Sequence, residues 1–448
     1  MNLSLKKWSL YQIAALAVSA IGYYYFAYQF ERTDFTELVG ITFILFIAFF
    51  FLIKVKTGVF SWLFIALFFR LIFLFSEPPL SDDYFRFVWD GKLWHENLSA
   101  YSLTPEHVPD SVKLQIDSEG ELLANMNSSG YYSVYPPLHQ AAFWLAAFGK
   151  TTFQSIIILR LLVIAFDIAL IFMLIAVLKE MHLPAGHAAI YAFNPLVIIE
   201  STGNLHLEVG MMFFFIVGIW LLIRQKPRLS AAAMAASFLL KMTSAIYLPI
   251  LFLKLKVRER IWWAGTITVL ILITSYILFS VDEVNRISQS LDLYFRRFEF
   301  NASIYYVVRE IGTWITGYNA IHFIGPVLSV LSAGIILFLS FSNRLHDWRG
   351  IFITMSKIGL VYLLFSTTVH PWYVIPLLVL MIPAGVIFPL VWSFLIFLSY
   401  SAYNSAEYSE NFILIALEYM LLFAAIFLEF KWPEKVRGFI FSTVDENR

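Results

Sequence analysis

The chain has no cysteine among its 448 residues. That excludes disulfides, thiolate metal sites and cysteine nucleophiles. Charge is also scarce: 14% of residues are Asp, Glu, Lys or Arg, where a soluble domain carries about 25%. The 31 basic and 31 acidic residues cancel, so a nucleic-acid partner has no electrostatic support. Ten-residue segments of alternating polarity are missing, which removes the membrane β-barrel. There is no appended polar domain and no long internal repeat. What remains is 60% apolar, with 45 Phe and 13 Trp. Such a chain must meet lipid over most of its surface.

A hydrocarbon core of about 30 Å needs about 20 helical residues to cross it, and helices satisfy their own backbone groups there. The reading is an all-α polytopic membrane protein of about twelve spans, with re-entrant and interfacial helices in addition. The expected spans are 8–27, 38–54, 58–77, 153–178, 184–203, 205–223, 260–280, 320–342, 350–368, 371–383, 385–402 and 411–430. The one at 371–383 is short and needs help from its neighbours. Val18-Ser19-Ala20 mimics a signal cleavage site, but the apolar run continues past it, so the first segment is expected to stay as a span.

Basic residues favour the cytoplasm. Lys6 and Lys7, Lys54 and Lys56, Arg224, Lys226 and Arg228 mark inner loops, as do Lys254, Lys256, Arg258 and Arg260, Arg344 and Arg349, and Lys431, Lys435 and Arg437. Residues 229–253 look like a span, yet basic clusters flank both sides. A re-entrant pair of half-helices broken near Lys241, Thr243 and Ser244 keeps both clusters inside and leaves Lys241 toward the inner half. Both termini are then cytoplasmic, in the plasma membrane. Residues 78–152, 281–319 and 403–410 lie outside, all within one domain spanning 1–448. Residues 106–130, rich in Ser, Asn and Glu, read as the most mobile stretch. Whether 138–149 and 303–317 lie in the interface or dip into the bilayer stays open.

The first outer loop opens with Ser81-Asp82-Asp83-Tyr84-Phe85-Arg86-Phe87-Val88-Trp89-Asp90-Gly91. Ser81 is the expected N-cap. Helical spacing places Asp83, Arg86 and Asp90 on one face. A carboxylate beside an arginine suits acid/base work on a charged lipid. The plain alternative is two aspartates complementing a helix dipole. Tyr135-Pro136-Pro137-Leu138 closes the loop, where Pro at a helix start is explanation enough. Downstream, Glu200, Asn204 and Glu208 fall four apart around His206. Ionisable residues at membrane depth are functional hypotheses by default, and a polar turn wetted by headgroups is the other reading. Arg160 and Asp167, seven apart in one span, suit structural pairing with each other or with other helices.

Together these residues resemble the GT-C glycosyltransferases that use polyprenyl-phosphate sugars, closest to the mannosyltransferase-like branch. The resembling segments are Asp82 to Gly91, Tyr135 to Leu138, Asn194-Pro195 through His206, and His370-Pro371-Trp372-Tyr373. The sequence departs from the family pattern at Asn97-Leu98-Ser99-Ala100-Tyr101 and at Ser81, which removes an Asp-x-Asp spelling. The resemblance implies a catalytic carboxylate in the first outer loop, carried here by Asp83 with Asp82 beside it. It implies a hexose, mannose first, moved from a polyprenyl-phosphate donor to a lipid-linked or cell-envelope glycan with inversion. Arg86, Arg296, Arg297 and Lys241 are the candidate cations for the leaving phosphate. Asp90, Tyr135, Glu200, Asn204, His206, Glu208 and His370 are candidate substrate contacts, His206 and His370 fitting structural hydrogen bonding as well. Trp89, Trp94 and Trp372 offer sugar stacking or an interfacial belt. No cofactor is certain, and a divalent metal stays open. The competing readings are a lipid or polysaccharide transporter, a polysaccharide ligase, and a structural role.

Overall fold

The computed structural model describes residues 9–54, 58–342, 347–405 and 408–445. Lys6, Lys7, Lys56 and Arg344, invoked for orientation, lie outside these. Among the described residues there is no strand, only an isolated parallel bridge between Phe300 and Thr368.

Among the described residues seven helices are long and apolar enough to cross a membrane: Leu10–Tyr28, Phe35–Leu52, Thr152–Glu180, Val257–Leu278, Ile321–Ser342, Trp348–Phe365 and Phe412–Lys431. Each matches an expected span. An eighth crossing arises if Val197–Gly203 and Glu208–Ile223, bent by 110° at their junction, count as one. The remaining expected spans are shorter pieces. Val59–Ile72 has 14 residues, about 21 Å at 1.5 Å per residue. Pro371–Ala384 and Phe388–Tyr403 are likewise short apolar helices. The causes are local: Pro371 fixes a 3-10 start, and Gly385 ends the segment in the left-handed region at φ 72°. Helix length alone therefore supports a polytopic chain and not a count of twelve.

Caps set several boundaries. Ser9 and Gln12 form a capping box, as do Ser280 and Glu283, and Asp34 and Thr151 each accept from the backbone three residues on. Leu10–Tyr28 runs unbroken through Val18-Ser19-Ala20, with Ser19 and Tyr23 buried. The expected N-cap Ser81 is displaced by one: Asp82 holds that position, and Ser81 Oγ instead accepts from the Asp83 N–H at 3.3 Å.

Cross-links between helix ends sort the molecule into two poles. Gln12 donates to the Lys54 carbonyl, Arg224 pairs with Glu180 at 2.9 Å, and Lys254 lies over the Trp348 ring. His187 meets Phe441 edge-to-face, and Arg349 donates to the Ala384 carbonyl. These contacts gather the Lys/Arg-rich ends at one pole.

The segment 229–253 breaks where the sequence indicated. Helix Pro227–Leu240 ends at Lys241 in extended backbone, and a 3-10 turn, Met242–Tyr247, follows with Leu248–Lys254. The two ends sit at the basic pole. The tip does not stay in the inner half. Lys241 reaches the opposite pole, where it pairs with Glu208.

The buried charges also find particular partners. Asp167 pairs with Arg70 from another helix at 2.6 Å and accepts from Tyr191 at 2.8 Å. Arg160 meets no carboxylate. It donates to four backbone carbonyls: Thr202 (2.9 Å), Gly203 (3.0 Å), Ser76 (2.5 Å) and Leu74 (3.4 Å).

Residues 83–146 fold as a set of short helices. Asp83–His95 packs on Pro137–Ala146 so closely that a Cβ on Gly91 would stand 2.1 Å from the Phe143 carbonyl oxygen. Residues 106–130, expected to be loose, carry helices Asp110–Ile116 and Glu121–Asn125 and bury Ile116, Leu122 and Met126. Lys92 donates to the Ile116 carbonyl at 2.7 Å.

Candidate active site

The pole opposite the basic one gathers residues from six stretches of chain. Asp82 and Asp83 open the Asp83–His95 helix. Glu200 comes from the π-turn Val197–Gly203, a geometry that follows Pro195, whose missing N–H cannot bond back into a regular helix. Asn204, His206 and Glu208 follow the break. Lys241 comes from the hairpin tip, His370 and Trp372 from the turn before Ile375, Tyr400 and Tyr403 from Ile396–Tyr403, and Arg32 from the turn between Leu10–Tyr28 and Phe35–Leu52.

Most carboxylates here are already committed. Asp82 pairs with Arg32 at 2.6 Å, and that guanidinium lies 4.0 Å over the Tyr403 ring. Glu200 accepts from Tyr400 at 2.8 Å and from Asn204 at 3.1 Å. Asn204 in turn accepts the Leu80 N–H at 3.0 Å, tying this turn to the strand of chain entering Asp82 and Asp83. Glu208 is ion-paired with Lys241. Asp83 differs. Its Oδ1 takes one long hydrogen bond from Asn127, 3.3 Å, and it forms no ion pair. It is only partly buried. Burial pushes its carboxyl above the ordinary range, Asp82 adds to that, and Asn127, Lys241 and Arg32 oppose it.

His139, on Pro137–Ala146, was not singled out from sequence. Its Nδ1 donates to the Leu240 carbonyl at 3.1 Å, and burial, helped by Lys241, pushes its pKa down to about 3. The ring is therefore neutral, with Nε2 left as a buried acceptor without a partner. His206, Trp372, His370 and Phe300 form a column of stacked rings, centroids 3.6, 4.4 and 4.9 Å apart in turn. Lys241 lies 5.1 Å over the Tyr373 ring.

Other expected residues stand elsewhere. Arg86 is a bracket: it pairs with Asp90 at 2.7 Å and donates to the Ser128 and Tyr131 carbonyls. Asp90 also accepts from Ser133 and Gln140. These two hold the 128–133 segment onto the helix and leave little of either for a phosphate. Trp89 is 0% exposed, so it offers no face to a sugar. Trp94 donates to Gln140. Tyr135 meets Phe87, His139 and Phe143 edge-to-face. Arg296 pairs with Asp292 on the surface, and Arg297 is exposed. In their place the structure puts two cations beside the carboxylates, Lys241 and Arg32. Arg32 carried a signal: it is a basic residue in a turn that the expected topology places outside, against the usual asymmetry. Asn127 carried none.

Among the described residues no group of three or more His, Asp or Glu side chains converges as a metal-ligand set. Asp82 and Asp83 alone would begin one.

A family model described as alpha-(1->6)-mannopyranosyltransferase, N-terminal domain, matches residues 26–256. That stretch contains Arg32, Asp82, Asp83, His139, Glu200 to Glu208 and Lys241, and stops short of His370. No curated protein and no solved structure matches the chain.

Proposed function

The chain belongs to the alpha-(1->6)-mannopyranosyltransferase family, a GT-C mannosyltransferase-like group, and on that premise we propose that it moves mannose from a polyprenyl-phosphate donor to a glycan or glycolipid acceptor on the outer side of the membrane. The acceptor hydroxyl attacks the anomeric carbon. Its proton passes to Asp83. The bond from that carbon to the phosphate oxygen breaks, and the electron pair leaves with the polyprenyl phosphate. A single displacement inverts the carbon, so an α product requires a β-linked donor.

The supporting observation is the uneven commitment of the site's acids. Asp82, Asp90 and Glu208 are each ion-paired, and Glu200 accepts from Tyr400 and Asn204. Asp83 keeps an oxygen without a hydrogen bond and is partly open to solvent. A base must be able to reach a substrate, and its raised pKa brings it closer to the proton it takes. The leaving phosphate already bears charge, so it needs cations rather than an acid. Lys241 is the nearest candidate, being held at the hairpin tip by Glu208 and felt by Asp83. Arg32 is the second.

No step is routed through a metal. The test is transfer in lipid nanodiscs, with polyprenyl-phosphate mannose and nucleotide-activated mannose offered in parallel to a membrane glycolipid extract. Transfer from the lipid donor alone, giving an α linkage, is expected. Equal use of the nucleotide donor would overturn the donor assignment.

A further inference from the structure

A second feature lies at the basic pole, away from the site. Helix Phe35–Leu52 presents Phe43, Phe46, Ile47 and Phe50 at helical spacing along one stripe. With Leu390 and Phe394 and the end of Phe412–Lys431, this stripe lines an apolar groove of about 570 Å³. Phe43, Ile47, Phe50 and Trp432 are all more than a third exposed along it. At its polar end stand cations. Lys435 lines the groove itself. Two residues on, Arg437 turns toward Gly385, where a Cβ would sit 2.9 Å from Arg437 Nε and 3.5 Å from Arg349 Nη2. The two guanidiniums thus converge over the end of Ile375–Ala384, and Gly385, already at φ 72°, leaves room for both. Lys431 lies nearby over Trp432.

Two guanidiniums brought together repel unless an anion lies between them. Among the described residues the local acids supply little of it, Asp347 acting on Arg349 only through space. Glu429 is occupied as the cap of the next helix, accepting the Ile387 and Phe388 N–H groups at 2.8 and 3.0 Å. Asp347 and Glu434 are exposed, and neither forms an ion pair with Arg349 or Arg437 among the described residues. Arg349 donates through Nε to the Ala384 carbonyl.

We propose that this groove binds an anionic glycerophospholipid, with the acyl chains along the Phe43–Phe50 stripe and the phosphate between Arg349, Arg437 and Lys435. The charge pattern favours a lipid over a protein helix, because the cations sit at one end of the groove and the walls are hydrocarbon. The inner leaflet is the anionic one, and basic pockets between helices on that side recognise such headgroups. The site is remote from Asp83 and independent of the transferase reading.

The test is native mass spectrometry of the full chain released from micelles equilibrated with equal phosphatidylglycerol and phosphatidylcholine. Wild type is expected to retain phosphatidylglycerol at least fivefold over phosphatidylcholine. The Arg349→Gln/Arg437→Gln pair should bring that ratio close to one. Val391→Trp, which fills the groove, should reduce retention of both. A wild-type ratio near one, which needs no variant to fold, overturns the proposal. So does a ratio unchanged in the double variant.

Discussion

Arg160 offers the sharpest test of how the site is held. It stands buried in Thr152–Glu180 with no carboxylate partner, and its four carbonyl bonds come from two separate stretches. Thr202 and Gly203 precede Asn204, and Leu74 and Ser76 precede Asp82 and Asp83. One guanidinium therefore fixes the distance between the carboxylate loop and the Glu200–Glu208 turn. Arg160→Leu strips at least three close bonds. Each buried carbonyl left bare costs about 1–3 kcal/mol. Removing a buried charge that has no counter-ion offsets part of this by several kcal/mol. The net loss should be about 2–4 kcal/mol. Transfer should suffer more than stability, because a shift of about 1 Å at the reacting groups costs on the order of a hundredfold. The assay is thermal inactivation in nanodiscs together with kcat and KM for the donor. Arg160→Lys, which can keep some of the carbonyl bonds, should recover part of the kcat. An Arg160→Leu enzyme with wild-type inactivation temperature and wild-type kcat would refute the bracing argument.

Other expectations follow from the same geometry. Asp83 must be ionised to take a proton, and burial raises its pKa. The rate should thus fall on acidification through a value above the ordinary carboxylate range and be flat above it; a pH–rate profile falling only at the ordinary Asp value would contradict this. Lys241→Met should lower kcat about 10²–10³-fold, with Lys241→Arg partly active, and an unchanged kcat would remove it from the leaving-group role. Asp82→Asn breaks a half-exposed pair with Arg32 and should cost less than about 1 kcal/mol, with a far smaller loss of transfer than any change at Asp83. Arg86→Lys should loosen the loop and lower the inactivation temperature while leaving donor KM alone; a raised KM would return Arg86 to the phosphate.

Hydropathy alone located the seven long helices, because a run of lipid-facing residues has no other use. The break at Lys241 was legible from basic clusters on both sides of one apolar segment. Its depth was not, since nothing in the sequence records that Glu208 waits at the far pole. The packing of Arg86, Asp90 and Trp89 was not legible for a physical reason. Helical spacing tells which residues share a face, and says nothing of whether that face meets substrate or the 128–133 segment. Asp83 was legible as one of an acidic pair at a helix start. That it stands outside any ion pair while Asp82 is paired depends on Arg32, which arrives from fifty residues away. Arg160 and Asp167 show the same limit: each is paired, but with Arg70 and four carbonyls rather than with one another.

The most direct measurement compares wild type and Asp83→Asn in nanodiscs carrying polyprenyl-phosphate mannose and a membrane glycolipid acceptor. Asparagine keeps the shape and the contact with Asn127 but cannot accept the proton. The expected result is a loss of at least a hundredfold in transfer with the thermal inactivation temperature unchanged. Transfer at the wild-type rate in Asp83→Asn would contradict the assignment of Asp83 as the base.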